Sequence, residues 1–224
     1  MTDVRFNADA IGLLLSGGLD SGILLGHLLR SGRRVVPFYV QTGVVWQAAE
    51  QKAVDALLAA FACPTLEPLV VQQMPLGDLY GDHWSISGND TPVADSPDEA
   101  VYLPGRNVLL ILKPALWCAL HGIEDLALAV LASNPFADAT DRFLRDFAGA
   151  ISQATGKVVR FKKPLGLFMK RDAMVLGRNF PLERTFSCIA PLDGRHCGCC
   201  NKCAERQTAF RSIGMADPTE YGGD

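Results

Sequence analysis

The string Ser16-Gly17-Gly18-Leu19-Asp20-Ser21 stands directly after the apolar run Ala10 to Leu15 and opens a helix-like run that continues from Ser21 to Arg30. A strand that passes through a glycine pair into a helix is the start of a βαβ unit, which points to an α/β fold with a parallel sheet. The same geometry makes an anion site. Glycines let the backbone approach an oxyanion, while free N–H groups and the positive end of the helix supply favourable potential. Ser16 and Ser21 can donate hydroxyls to phosphate oxygens, and Asp20 can hold a magnesium ion or orient the loop. The string has no Gly-Lys-Ser/Thr and no dinucleotide fingerprint. A glycine pair alone would be an ordinary tight turn.

The segments that follow keep the alternation. Val35 to Val40, Leu69 to Met74, Asp125 to Leu131 and Val158 to Phe161 read as strands; Trp46 to Phe61, Gly105 to His121 and Thr140 to Ala154 read as helices. Helices on both faces of a parallel sheet are the expected architecture, and 224 residues suit one large domain with a small appendage. Pro75 to Pro104, rich in Asp, Ser, Gly and Pro with Tyr80, His83, Trp84 and Tyr102 embedded, is too long for an ordinary connection; a mobile lid and a disordered insertion are equal readings. No apolar run is long enough to span a bilayer. Met1 to Arg5 reads as neither a secretory signal nor a transit peptide, so the expected location is cytoplasmic. A formal charge of −3 gives no basic footprint for nucleic acid, which favours a small-molecule substrate.

Seven cysteines are an odd number for a secreted disulfide framework. Cys63 and Cys118 lie in apolar helical surroundings and read as small buried hydrophobes. Cys188 and the run Cys197-Gly198-Cys199-Cys200-Asn201-Lys202-Cys203 offer four thiolates at a spacing that can enclose a tetrahedral zinc, a closed and therefore structural site. Cys199 and His196 are further candidate ligands, and an iron–sulfur cluster or a redox thiol pair are competing readings. Arg206 and Phe210, four apart on the next helix, either face the site together or are a solvated arginine beside a core phenylalanine.

The Ser16–Ser21 string resembles the signature of the PP-loop ATP pyrophosphatases, the adenine nucleotide alpha hydrolase-like fold. Taken with Pro104-Gly105-Arg106-Asn107, Phe186-Ser187-Cys188 and the run from Cys197 to Arg206, the chain resembles the QueC family of 7-cyano-7-deazaguanine synthases from about Ile11 to Tyr221. That resemblance implies an ATP-dependent ligase using ATP, Mg2+ and Zn2+. Leu15, Ser16, Gly17, Gly18, Leu19, Asp20 and Ser21 would grip the pyrophosphate end of ATP. Asp20, Lys170 and Arg106 would serve the phosphates, and Cys188, Cys197, Cys200 and Cys203 would bind zinc in preference to Cys199. The carboxylate of 7-carboxy-7-deazaguanine would be adenylated, free ammonia would displace AMP, and a second ATP would activate the amide for dehydration.

The resemblance also implies a PP-loop domain over 1–184 with a zinc-binding segment over 185–224. The chain departs from the family on the substrate side. Tyr39-Val40-Gln41-Thr42-Gly43 replaces an Asp-Tyr-Gly-Gln run, and Ser133 to Asp141 keeps only Asp138 of a second run. Another small acid, a tRNA base for thiolation, and a zinc-stapled nucleotide-binding protein without turnover are the competing functions. Apolar helix faces serve a homodimer or simple core packing equally well.

Overall fold

The computed structural model describes residues 9–222, so the Met1 to Arg5 stretch lies outside the described residues. Five strands, β1 (Ala10–Leu14), β2 (Arg34–Gln41), β3 (Val70–Gln73), β4 (Asp125–Ala127) and β5 (Arg160–Lys162), form one sheet in the order β3-β2-β1-β4-β5. Every pair is parallel, with Gly12 of β1 opposite Val36 on one side and Leu126 on the other. The helices are α1 (Leu19–Arg30), α2 (Gln47–Ala60), α3 (Gly77–Tyr80), α4 (Trp84–Ser87), α5 (Arg106–Leu120), α6 (Asp141–Thr155), α7 (Lys170–Gly177) and α8 (Asn201–Ser212).

Parallel strands need crossover helices, which bury both faces of the sheet, so β1 and β2 read as unbroken apolar runs. One core joins Ile23, Leu24 and Leu25 of α1 to Met174 of α7 and Phe210 of α8; the other joins Val36 and Phe38 to Ile111 and Ala115 of α5 and Leu144 and Ile151 of α6. A methyl group on Gly177 would overlap the Ile23 side chain, so the glycine is what lets α7 lie against α1. Winding reverses between β1 and β4, and in open α/β sheets a crevice opens at that switch point beyond the carboxyl ends of the strands. The Ser16–Ser21 loop leaves β1 there.

Three differences from the sequence reading have physical causes. The apolar run after Ala127 leaves the ladder: Leu128 N donates to Lys162 O at 2.8 Å, and the chain then turns away, with Ala132 N bonded to Phe168 O at 3.0 Å. Beyond Leu128 the run stays apolar because it is covered, with Leu131 buried in the core, and not because it pairs. The Pro75 to Pro104 stretch is neither a free lid nor loose chain. Trp84 stacks on Trp46 with centroids 5.7 Å apart, and Asn201 donates its backbone N–H to Pro92 O at 3.0 Å and its side-chain Nδ2 to Ser96 O at 2.7 Å, strapping the stretch over the cysteine segment. Cys63, expected to be buried, is exposed in the turn after α2, whereas Cys118 is buried on α5. No helix among the described residues is long and apolar enough to cross a membrane.

Arg206 is no solvated arginine. It is 1% exposed, and its guanidinium donates to Thr185 Oγ1 at 2.7 Å, Thr219 Oγ1 at 2.6 Å and Leu182 O at 3.1 Å, with Asp217 at 3.9 Å. It pins α8 to the chain entering the cysteine segment. Arg206→Leu leaves those acceptors and Asp217 without their donor, and the expected loss is about 3 kcal/mol in a denaturant titration.

Candidate active site

The loop after β1 is held so that its amides face a cleft of about 340 Å³. Gly17 has φ +77°, and a Cβ there would come within 3.0 Å of Glu50 O on α2. Both the left-handed backbone and the close approach exclude a side chain. Gly18, with φ −77°, caps α1 without any side-chain hydrogen bond to the helix, so the first-turn N–H groups remain open to an anion. Ser16 Oγ lies 3.1 Å from Ser21 Oγ, and Ser21 Oγ donates to Gly18 O at 3.1 Å. Leu19 is buried but borders the cleft, whereas Leu15, expected to grip phosphate, does not line it: its side chain is in the core and its N–H is spent on Phe38 O at 2.9 Å. Gly17→Ala is expected to destabilise the fold, whereas Gly18→Ala, whose Cβ would meet nothing nearer than 3.5 Å, should leave the melting temperature unchanged and weaken nucleotide binding; thermal melts with and without ATP separate the two.

At the mouth of the loop Lys170, the first residue of α7, reaches across the switch point. Its Nζ donates to both Asp20 oxygens at 2.9 and 2.7 Å and to Glu205 Oε1 at 2.7 Å. Burial opposes the lysine charge, but the Asp20 and Glu205 carboxylates outweigh it and raise its pKa. Burial likewise works against the Glu205 carboxylate, yet Lys170 and Lys202 bring its pKa down to about 2. The fold brings these residues together from three distant places, α1, α7 and α8, with Asp20 and Lys170 150 positions apart.

The opposite wall comes from α2 and α5. Arg106 opens α5 after Gly105, its guanidinium lies 5.8 Å from the Trp46 ring centroid, and its Nε is buried with no partner among the described residues. Beside it burial raises the Glu50 pKa, an effect that Arg106 and a 3.0 Å hydrogen bond from Tyr39 OH partly offset. Asp138 is buried and accepts from Asn107 N at 3.2 Å and Asn107 Nδ2 at 2.9 Å, so the residue following Arg106 holds it in place. Trp46 and Glu50 line the cleft without having been singled out in the sequence, and Asn107 lines it from the Pro104–Asn107 string. Glu50 is one of 24 acidic residues, and nothing in its local string marks it.

The sulfurs of Cys188, Cys197, Cys200 and Cys203 all lie within 4.8 Å of one another, with Cys188 and Cys200 3.8 Å apart and Cys197 and Cys203 3.9 Å apart. A tetrahedral ion with metal–sulfur bonds of about 2.3 Å requires sulfurs about 3.8 Å apart. Backbone N–H groups of Ala190 and Cys197 point at Cys188 Sγ, each at 3.3 Å, and that of Cys200 points at Cys197 Sγ, also at 3.3 Å, an arrangement that stabilises thiolates. Cys199 is exposed and His196 is occupied, its Nε2 accepting from Ser187 N at 3.0 Å. The cluster and the loop are joined, because Phe186 N donates to Gly17 O at 2.8 Å.

Solved structures with a similar fold include the U34-tRNA thiolase NcsA from Methanococcus maripaludis with its 4Fe–4S cluster (TM-score 0.51, 12% identity, covering 95% of this chain and 70% of that one). Another is the predicted subunit of tRNA methyltransferase from Methanocaldococcus jannaschii (TM-score 0.50, 13% identity, covering 76% and 75%). At such identities the likeness speaks for the fold alone, and with the loop at the switch point it defines a protein of the PP-loop fold. Residues 10–214 match the family model described as Queuosine biosynthesis protein QueC, and the chain belongs to the QueC family. Relatives called 7-cyano-7-deazaguanine synthase include one from Xanthomonas oryzae pv. oryzae, 30% identical over 93% of this chain and 96% of its own length. One from Novosphingobium aromaticivorans is 28% identical over 94% of both.

Proposed function

We propose that this chain uses ATP to convert 7-carboxy-7-deazaguanine and ammonia into 7-cyano-7-deazaguanine. The observation that carries the reading is end-to-end similarity to relatives of that name, together with a loop of open amides at the sheet's switch point. In this reading the α1 amides, Ser16 and Ser21 hold the β- and γ-phosphates, and Lys170 and Arg106 balance the charge that builds up as pyrophosphate departs. A carboxylate oxygen of the acid attacks the α-phosphorus, breaking its bond to the bridging oxygen. Ammonia then attacks the activated carbonyl carbon, AMP leaves with the former carboxylate oxygen, and the surplus proton passes to water. The amide oxygen is activated the same way by a second ATP. The balance is one acid, one ammonia and two ATP giving one nitrile, two AMP and two pyrophosphate.

Asp20, at 27% side-chain exposure beside the loop, has the hard oxygen donors a magnesium ion requires; such an ion, when bound, neutralises the phosphates. Sulfur spacing supports zinc at the four cysteines, in a closed and structural role. We read residues 185–224 as a zinc-binding segment packed on a PP-loop domain over 1–184, and the net charge of −3 favours a small acceptor over a nucleic acid in a cytoplasmic enzyme. Product identification with magnesium ATP, the acid and ammonium is the test. AMP, pyrophosphate and the nitrile are expected, whereas ADP with phosphate, or no turnover of this acid, would refute the assignment.

A further inference from the structure

Four charged side chains of alternating sign, Asp20, Lys170, Glu205 and Lys202, are linked in a row, each joined to the next by a contact of 2.7 Å. All four line the cleft that holds the Ser16–Ser21 loop. Lys202 comes to it from the first turn of α8, where it stands between Cys200 and Cys203, so the segment that gathers the four sulfurs also delivers a lysine to the cleft.

An ammonium group has three N–H donors. Lys170 Nζ has three contacts, with Asp20 Oδ1 at 2.9 Å, Asp20 Oδ2 at 2.7 Å and Glu205 Oε1 at 2.7 Å, so in this arrangement it has no donor to spare for a phosphate. It gains one only by giving up a carboxylate, as when Asp20 turns to magnesium. Arg206 also borders the cleft, but its guanidinium is spent on Thr185, Thr219 and Leu182. Lys202 differs from both. Its Nζ has one partner among the described residues, Glu205 Oε2 at 2.7 Å, and its side chain is 30% exposed, so two donors remain and a ligand from solvent can reach them. The two ammonium groups sit on the two oxygens of a single carboxylate, and so flank one anionic group as they would flank phosphoryl oxygens.

We propose that Lys202 is a further phosphate-binding residue, which takes the diphosphate end of ATP with its two open donors and holds it together with Lys170 as pyrophosphate departs. The inference rests on the ligase reading above, in which the diphosphate lies in the β1–α1 loop beside Asp20. Charge supports it. Asp20, Lys170 and Glu205 alone make a net negative row that would repel a diphosphate; Lys202 brings the row to neutrality, and a magnesium ion on Asp20 then makes it attractive.

Lys202→Met keeps the aliphatic stem and removes the ammonium group. On the full-length protein, with its metal content and melting temperature checked, the Kd for pyrophosphate with magnesium is expected to rise about ten-fold or more, as a charge-assisted contact is lost. The Kd for AMP, which lacks the diphosphate, is expected to stay within a factor of about two, and Lys202→Arg should recover most of the pyrophosphate affinity. If Lys202→Met does not keep its metal, Glu205→Gln decides in its place. With the competing carboxylate gone, pyrophosphate is expected to bind about three-fold tighter, and binding no tighter than in the unaltered protein would overturn the proposal. A pyrophosphate Kd within a factor of about two in folded Lys202→Met, or equal weakening of pyrophosphate and AMP, would overturn it too. Failure of both ATP and pyrophosphate to bind the unaltered protein would instead strike down the ligase reading, and this inference with it.

Discussion

Replacing Cys203 by Ser, or treating the protein with a strong chelator, is expected to unfold the segment from Phe186 to Phe210 and to abolish nucleotide binding. The four cysteines are buried and their sulfurs converge within 4.8 Å, so without an ion they are thiols that must be protonated or repel one another. A structural tetrathiolate site contributes about 10–16 kcal/mol in small zinc domains, as much as the whole stability of an ordinary domain at about 5–15 kcal/mol. The damage travels by a definite path. Trp46, Val101 and Phe186 pack on the cysteines, and Phe186 holds Gly17 through the 2.8 Å backbone bond. Elemental analysis should return one zinc per chain, with a cooperative melt that disappears in chelator. Iron with sulfide, or an unchanged melt after the metal has been stripped, would contradict this.

Lys170→Ala is expected to lower the rate of AMP formation by about 100- to 1,000-fold, the scale seen when a preorganised charge-stabilising donor is removed. It does more than delete a cation, since Asp20 and Glu205 would be left facing one another with no shared partner, and nucleotide affinity should fall as well. Lys170→Arg keeps the charge but not the compact point contact, and should recover binding more than rate. The same cluster sets a pH limit. The folded-state pKa of Glu205 is depressed to about 2 from an ordinary 4.5, so its stabilising effect is full above the ordinary value and fades as pH falls towards 2. An acid titration of Glu205→Gln should lack that component.

The loop and the sheet were legible because short strings determine them. Two glycines between an apolar run and a helix allow few conformations, and the unbroken apolar character of β2 follows from burial on both faces. The cysteine cluster was legible as a group because metal ligands occur at short spacings, while the preference for Cys197 and Cys200 over Cys199 came from the family resemblance. What the sequence did not show is whatever depends on long-range approach. Glu50 and Trp46 reach the cleft because Gly17 has no side chain to keep α2 away, and Glu205 meets Lys170 because α7 and α8 pack together. Arg206 could not be told from a surface arginine until Thr185, Thr219 and Leu182 closed around it. The strap from Pro75 to Pro104 has a loop's composition yet packs, because Trp84 finds Trp46 and Asn201 supplies its hydrogen bonds.

In the proposed function an acid attacks the α-phosphorus of ATP while the β1–α1 loop retains the diphosphate. Mass spectrometry of AMP formed from 7-carboxy-7-deazaguanine labelled with heavy oxygen in both carboxylate positions tests this directly. Each AMP released is predicted to carry one heavy oxygen, from the carboxylate in the first activation and from the amide in the second, with pyrophosphate unlabelled. Unlabelled AMP, or the label in inorganic phosphate released alongside ADP, would contradict it.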